Sequence, residues 1–450
     1  MSMHFYDGEI DTVARQIVEY AEWRTRLEPI PLNTTRSRAE LDASAGATIT
    51  EDGLGGVEAL RVFREVLAPA CLSIDFPRYL AFVPCAPTEL SILFDLVVGA
   101  SSIYGGSWLE GAGAVFAENQ ALRWLADLAG LPPEAGGCFV AGGTFGNLSA
   151  LTAARHAAHA QQGHRPDRWA VVAAASAHSS IEAAASVMDA QLVRAEVDEL
   201  GVLTGAAVEN ALLEAEGRAF AVVATAGTTN LGLVDDLESI AEVCARHGVW
   251  LHVDGAYGGA GLAAPSVRRL FRGIEHADSV IIDPHKWLFA PFDACALLYR
   301  DPTLAHAAHA HHAAYLEILQ GPDQWNPSDY AIHLTRRARG LPLWFSVAAH
   351  GTRAYEQAVE QTLSVARAAA WLVSQADHLE LIVEPMLSVV AFRRVGWAAG
   401  DYVAWSEAQM AAGTSFIVPS TFAGEPMLRL CIVNPRTTVE DIEQILASLR

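Results

Sequence analysis

Asp278-Ser-Val-Ile-Ile-Asp-Pro-His-Lys-Trp287 runs from a short apolar segment directly into a histidine and a lysine. The amine of Lys286 is the kind of side chain that condenses with a carbonyl to form a Schiff base. Upstream, Trp250-Leu-His-Val-Asp-Gly-Ala-Tyr257 ends a second apolar run on Asp254, a carboxylate able to pair with a protonated ring nitrogen. Taken singly, each segment has an ordinary reading. A lysine after a strand is usually a solvated loop residue, and an aspartate there is usually a helix cap or turn former. Their order along the chain, beside the residues below, gives them weight.

Working outward, short apolar runs at residues 138–141, 169–175, 220–225, 249–253, 279–282 and 294–299 alternate with helical stretches at 147–160, 206–216 and 237–247. Continuous apolar strands separated by helices predict an α/β fold with a mostly parallel sheet covered on both faces. Chemistry in such sheets gathers at the carboxyl ends of the strands. Lys286, Asp254 and His178 all follow such ends. Residues 1–65 are polar, with a helical period at Val13, Ile17, Val18 and Tyr20, and lack the apolar content for a core of their own. They are expected to pack on a larger body or on a partner subunit. Residues 66–340 form the expected large domain. Beyond Leu341, one helical pattern (344–375) leads to strands at 379–383, 388–393, 415–418 and 427–433. Hydroxyls then precede acidic residues at Thr437-Thr-Val-Glu-Asp441, a helix-start signature. Residues 341–450 therefore read as a small α+β domain.

Composition narrows the partners. The 450 residues are 52% hydrophobic and carry a formal charge of -22, which argues against nucleic acid or an anionic membrane. Six cysteines lie scattered without metal spacing and read as free thiols of a reducing compartment. His306, His309, His311 and His312 resemble a metal tract, but no cysteine or paired carboxylate accompanies them, so no metal is expected. The N-terminus has neither a basic nor an apolar leader region, and no run is long enough to span a membrane. A cytoplasmic protein is expected.

Two further segments carry chemistry. Ala141-Gly-Gly-Thr-Phe-Gly-Asn147 sits between a strand and a helix, where glycines and free N–H groups, with the Thr144 hydroxyl, can cradle a phosphate. It lacks the lysine of a nucleotide-binding loop. Ala224-Thr-Ala-Gly-Thr-Thr-Asn230 brings hydroxyls to another strand end, with Thr228 the best candidate for a cofactor contact.

With these motifs in order, the chain resembles the pyridoxal-phosphate-dependent group II amino acid decarboxylases, closest in motifs to the aromatic-L-amino-acid branch. The resemblance runs from about Phe76 to the C-terminus. It rests on Gly142-Gly-Thr-Phe-Gly-Asn147, Ala177-His-Ser-Ser180, Ala226-Gly-Thr-Thr229, His252-Val-Asp-Gly-Ala-Tyr257 and Pro284-His-Lys-Trp287. It implies a fold type I, aspartate aminotransferase-like homodimer with active sites at the interface and pyridoxal 5'-phosphate as cofactor. Lys286 would be the Schiff-base lysine, and Asp254 would keep the pyridine nitrogen protonated. His178 would stack on the ring near the substrate carboxylate, with Ala256 against the other face. Gly143, Thr144 and Asn147 would belong to the phosphate end, and His285 would lie beside the lysine. Tyr315 would be the mobile-loop tyrosine that protonates the carbanion in the neighbouring subunit. Relatives with phenylalanine there are oxygen-consuming aldehyde synthases, the alternative reading, together with other pyridoxal-dependent carbon-carbon lyases.

The resemblance also places a substrate pocket at Phe82, Cys85, Tyr104 and Gly106. Glutamate-type relatives carry an Asn-Gln pair where Ala81-Phe82 stands, so an acidic substrate would lack a polar partner. The aromatic branch has threonine at Cys85, and isoleucine and phenylalanine at Tyr104 and Gly106. Gly106 opens space that Tyr104 fills from another direction. An aromatic or otherwise hydrophobic L-amino acid is expected, giving its amine and CO2. Arg336, Arg337 and Arg339 read either as contributors near the phosphate across the interface or as a solvated helix start.

Overall fold

The computed structural model describes residues 8–311 and 324–450. Its centre is a seven-stranded sheet: β1 (Gly136–Val140), β2 (Ala170–Ala174), β3 (Gln191–Ala195), β4 (Ala219–Thr225), β5 (Trp250–Asp254), β6 (Ser279–Ile282) and β7 (Cys295–Tyr299). The strand order is β1-β7-β6-β5-β4-β2-β3. Pairings from β3 through β6 are parallel, while β7 runs antiparallel to both β6 and β1. Strands β2 and β4 to β7 are buried along their whole length. Helices cover both faces and enclose two apolar cores, one on each side. This is why those strands read as unbroken apolar runs. Strand β3 was not anticipated. It is the sheet's edge, its Arg194 is exposed, and Gln191-Leu-Val-Arg-Ala195 forms no continuous apolar run.

A second, antiparallel sheet has the order β10-β11-β9-β8, built from β8 (Leu379–Leu381), β9 (Val389–Arg394), β10 (Ser420–Phe422) and β11 (Glu425–Cys431). The expected strand at 415–418 joins neither sheet. Its backbone instead pairs with the segment before the large sheet: Phe416 N–H donates to Arg78 O and Leu80 N–H to Phe416 O, each at 2.9 Å. Leu80 is wholly buried in the core of the second sheet, so the segment around Tyr79 packs on the C-terminal part of the molecule. The helical pattern at 344–375 is two helices, Leu341–His350 and Thr352–Ser374, broken at Gly351, whose φ is 78°. The terminal helix Val439–Ala447 starts at a capping box in which Thr438 and Asp441 satisfy each other's backbone N–H. Helix Ala399–Ala411 lies between β9 and β10.

Helix Trp108–Leu128 is tied to the chain near residue 336 by a buried ion pair, Arg336 to Glu118 at 2.7 Å, with Gly340 N–H also donating to Glu118 at 2.8 Å. Among the described residues no helix is long and apolar enough to cross a membrane.

Candidate active site

The carboxyl ends of β5 and β6 and the loops after β1, β2 and β4 surround one cavity of about 310 Å³. Asp254 is the last residue of β5. One of its oxygens accepts from Asn147 Nδ2 at 2.9 Å, and the other from Ala256 N–H at 3.1 Å. Lys286 lies in the short helix Pro284–Trp287 directly after β6, and its Nζ is 3.0 Å from an Asp283 oxygen. Burial disfavours the charged amine, but the carboxylates of Asp283 and Asp254 outweigh it and raise the pKa. The other Asp283 oxygen is buried without a hydrogen-bond partner. Sequence reasoning passed over Asp283. The available signal was its place at a strand end, three residues before the lysine and hence on the same side of a helical turn.

Helix Gly143–Gln162 opens at Gly142 (φ 94°), with no side chain capping its first amides. A Cβ at Gly143 would stand 3.2 Å from both Ala256 Cβ and an Asp283 oxygen, so only glycine leaves the passage between them clear. Thr144 is exposed at the same helix start and lines the cavity. Uncapped amides, a hydroxyl, a buried carboxylate across the cavity and an amine between them suit a flat phosphorylated aldehyde with a basic ring nitrogen. The residues present fit pyridoxal phosphate.

His178 caps helix Ser179–Val187 at the cavity mouth, where its Nδ1 accepts from Ser180 N–H at 3.2 Å. His285 is buried with Nδ1 2.7 Å from the Ala294 carbonyl and its ring against Phe292, and burial lowers its pKa. Ala256 lines the cavity.

Other candidates sit elsewhere than expected. Asn147, expected at the phosphate end, lines the cavity one turn into its helix, 1% exposed, with its amide on Asp254 and Ser180. Thr228 turns its hydroxyl back to accept from Leu233 N–H at 3.1 Å, and Thr225, Gly227 and Thr229 line the cavity instead. Phe82 is 57% exposed, while its neighbour Val83 lines the cavity. Cys85 is buried, its thiol donating to Ala290 O at 3.0 Å, and burial raises its pKa. Tyr104 donates to Leu334 O at 3.0 Å. A Cβ on Gly106 would meet the Tyr104 hydroxyl at 2.5 Å, so Tyr104 does fill the space that Gly106 opens. None of these four pocket candidates lines this cavity within one chain. Tyr315 lies outside the described residues. Arg336 is not a solvated helix start but is buried on Glu118, while Arg337 and Arg339 pair with Asp95 and Asp293. His309 is buried with Nε2 3.0 Å from the Ser149 carbonyl.

Residues 57–395 match the family model described as the pyridoxal-dependent decarboxylase conserved domain. The chain is 29% identical over 439 residues to an aromatic-L-amino-acid decarboxylase from Bacillus atrophaeus, covering 94% of this chain and 91% of that protein. It is 31% identical over 416 residues to an L-2,4-diaminobutyrate decarboxylase from Rhizobium meliloti (strain 1021), covering 89% and 83%. The crystal structure of Oryza sativa TDC with PLP and tryptamine has the same fold, with a TM-score of 0.91 at 23% identity, over 100% of this chain and 98% of that one.

Proposed function

Because the chain belongs to the pyridoxal-dependent decarboxylase family, we propose that it converts an aromatic or otherwise hydrophobic L-amino acid to its amine and CO2. The cofactor is pyridoxal phosphate and the enzyme is a carboxy-lyase. The observation that carries the reading is the meeting of Lys286, Asp254 and His178 around one cavity. Pyridoxal phosphate, when bound, supplies a ring that takes up the electron pair left on Cα as CO2 departs. Lys286 holds the cofactor's aldehyde carbon. The Gly143 and Thr144 amides and the Thr144 hydroxyl hold its phosphate, with His285 beside the lysine. Asp254 keeps a proton on the ring nitrogen, because a carboxylate beside it favours the charged form. His178 would stack on the bound ring and orient the substrate carboxylate, Ala256 would pack on the opposite face, and Tyr315 would supply the proton to Cα.

The hydrophobic substrate class is supported by what surrounds the cavity. Val83 and Phe292 stand at its wall, and Asp293, the one carboxylate there outside the lysine-bearing centre, is engaged by Arg339 at 2.8 Å. Among the described residues of one chain, Lys286 is the sole lysine or arginine lining the cavity, so a second carboxylate on the substrate would find no cationic partner among them. Similarity alone does not choose, since the relatives named above act on an aromatic amino acid and on diaminobutyrate. The enzyme would act as a cytoplasmic homodimer with its active sites at the interface, where Phe82, Cys85, Tyr104 and Gly106 would shape the substrate pocket. Purified protein incubated with each of the twenty standard amino acids should release amine and CO2 from hydrophobic ones, read by mass spectrometry. Turnover of acidic or cationic amino acids alone overturns the substrate assignment; aldehyde with ammonia and peroxide in place of amine overturns simple decarboxylation.

A further inference from the structure

A line of hydrogen bonds runs through the sheet to the cavity, and its chemistry allows one arrangement of protons. Trp250 Nε1 lies 2.8 Å from Ser279 Oγ, which lies 2.8 Å from His252 Nδ1. His252 Nε2 lies 2.8 Å from Asn147 Oδ1. Asn147 Nδ2 reaches both Asp254 and Ser180 Oγ at 2.9 Å, and Ser180 Oγ is 2.8 Å from His178 Nδ1. An ionised aspartate only accepts, so Asn147 turns its NH2 to Asp254 and its carbonyl to His252. His252 must then donate through Nε2. It is wholly buried, which pushes its pKa down to about 4 despite the pull of Asp254, so the ring is neutral and Nδ1 accepts. The Ser279 hydroxyl therefore donates to His252 and accepts from Trp250, whose indole can only donate. At the other end, the second amide hydrogen of Asn147 goes to Ser180. The Ser180 hydroxyl is left to donate to His178 Nδ1, which already accepts the Ser180 N–H. His178 therefore carries its proton on Nε2.

We propose that Asn147 is the hub of a positioning network, backed by His252 and Ser279, that sets the orientation of Asp254 and the proton of His178 together. The inference rests on Asp254 being the partner of the cofactor's ring nitrogen. Turning the amide over would press its carbonyl against the Asp254 carboxylate and leave Ser180 without its donor. Asn147, Ser180, His252 and Ser279 are all buried, so water does not replace a missing link. His252 and Ser279 do not line the cavity, so they act on a bound molecule only indirectly, by the hydrogen bonds through Asn147 and by the charge coupling of His252 to Asp254.

The test uses cofactor-free protein and 4'-deoxypyridoxine 5'-phosphate, which has the ring and phosphate but no aldehyde for Lys286. Dissociation constants and the pH at which the bound ring nitrogen loses its proton are read by absorbance. His252→Phe and Ser279→Ala should each weaken binding about tenfold and lower that pH, while His252→Gln, which keeps a donor toward Asn147, should stay within about threefold of wild type. The network idea is overturned if Ser279→Ala and His252→Phe bind the probe as wild type does while Asp254→Asn weakens it. It is equally overturned if His252→Gln is as impaired as His252→Phe, which would indicate packing alone. An Asp254→Asn variant that binds and titrates like wild type would instead remove the premise about Asp254. Ser279→Ala is a small change and keeps the test open should His252→Phe fail to fold.

Discussion

Lys286 owes its place to three residues of chain: β6 ends at Ile282, Asp283 follows, and the turn Pro284–Trp287 swings the amine back over that carboxylate. The pair costs little only because both charges are buried together; either alone would be an uncompensated buried ion. Asp254 faces the same cavity from the next strand, and its charge is what the ring nitrogen would feel. Asp254→Asn should lower kcat by about 10²–10³, measured as CO2 release with saturating pyridoxal phosphate. A rate within a few-fold of wild type would refute its role. Lys286, Asp254 and His178 were legible in the sequence because each is a polar residue at the end of an apolar run. Thr228 against Thr229 was not, because the turn at Gly227 (φ 106°) decides which hydroxyl faces inward. That Asn147 lines the cavity with its amide on Asp254 was not legible either: the direction of its side chain depends on helical phase, which a glycine-rich motif does not display.

Among the elements, the strands buried on both faces could be read to within a residue or two, since apolar side chains dominate them and the few buried polar ones, such as His252 and Ser279, do not break the run. The edge strand β3 and the break at Gly351 could not. The first is buried on one face only, at Val193 and Ala195, with Arg194 exposed between them, and the second hides inside a pattern that stays helical on both sides. Gly351 has φ 78° and ψ 157°, a region closed to side-chain-bearing residues, and a Cβ there would meet nothing within 4 Å. The cost of Gly351→Ala is therefore backbone strain alone, about 1–3 kcal/mol, to be read by thermal or urea unfolding. Three histidines, the buried His252 and His309 and the half-buried loop residue His333, are each pushed down to about 4 by desolvation. Their unfolded pKa is higher, about 6.5, so the unfolded chain binds protons first as the pH falls. Their contribution to stability is complete above that value and is lost on acidification toward pH 4, by about 3 kcal/mol each. Asp235, raised to about 7 by burial, acts in the opposite sense: its contribution is present at low pH and is lost as pH rises through 7. Three groups outweigh one, so urea midpoints should fall between pH 7 and pH 5. His309→Gln should flatten that slope, and an unchanged slope would count against the assignment.

At the level of the molecule, Leu93, Leu96, Val97, Leu109 and Phe116 leave apolar side chains exposed on helices Glu89–Ser101 and Trp108–Leu128. A second copy covering them would remove that surface from water at about 25 cal/mol per Å². If each site takes Tyr315 from its neighbour, Lys286→Ala and Tyr315→Phe chains, each inactive for amine formation alone, should regain activity when refolded together. The hybrid dimer then holds one site with both residues intact. No recovery in mixtures shown to contain the hybrid would place Tyr315 outside the neighbouring site.

The antiparallel strand β7 has a consequence for how this chain is made. Strand β1 has β7 as its partner in the sheet, and the register joins Gly136 to Tyr299. During synthesis, then, the nascent β1 must wait for roughly 150 further residues, some ten to thirty seconds on the ribosome, with its hydrogen-bonding edge uncovered. Slowing translation would lengthen that window, and a chaperone able to shield an unpaired edge would be the helper this polypeptide most needs.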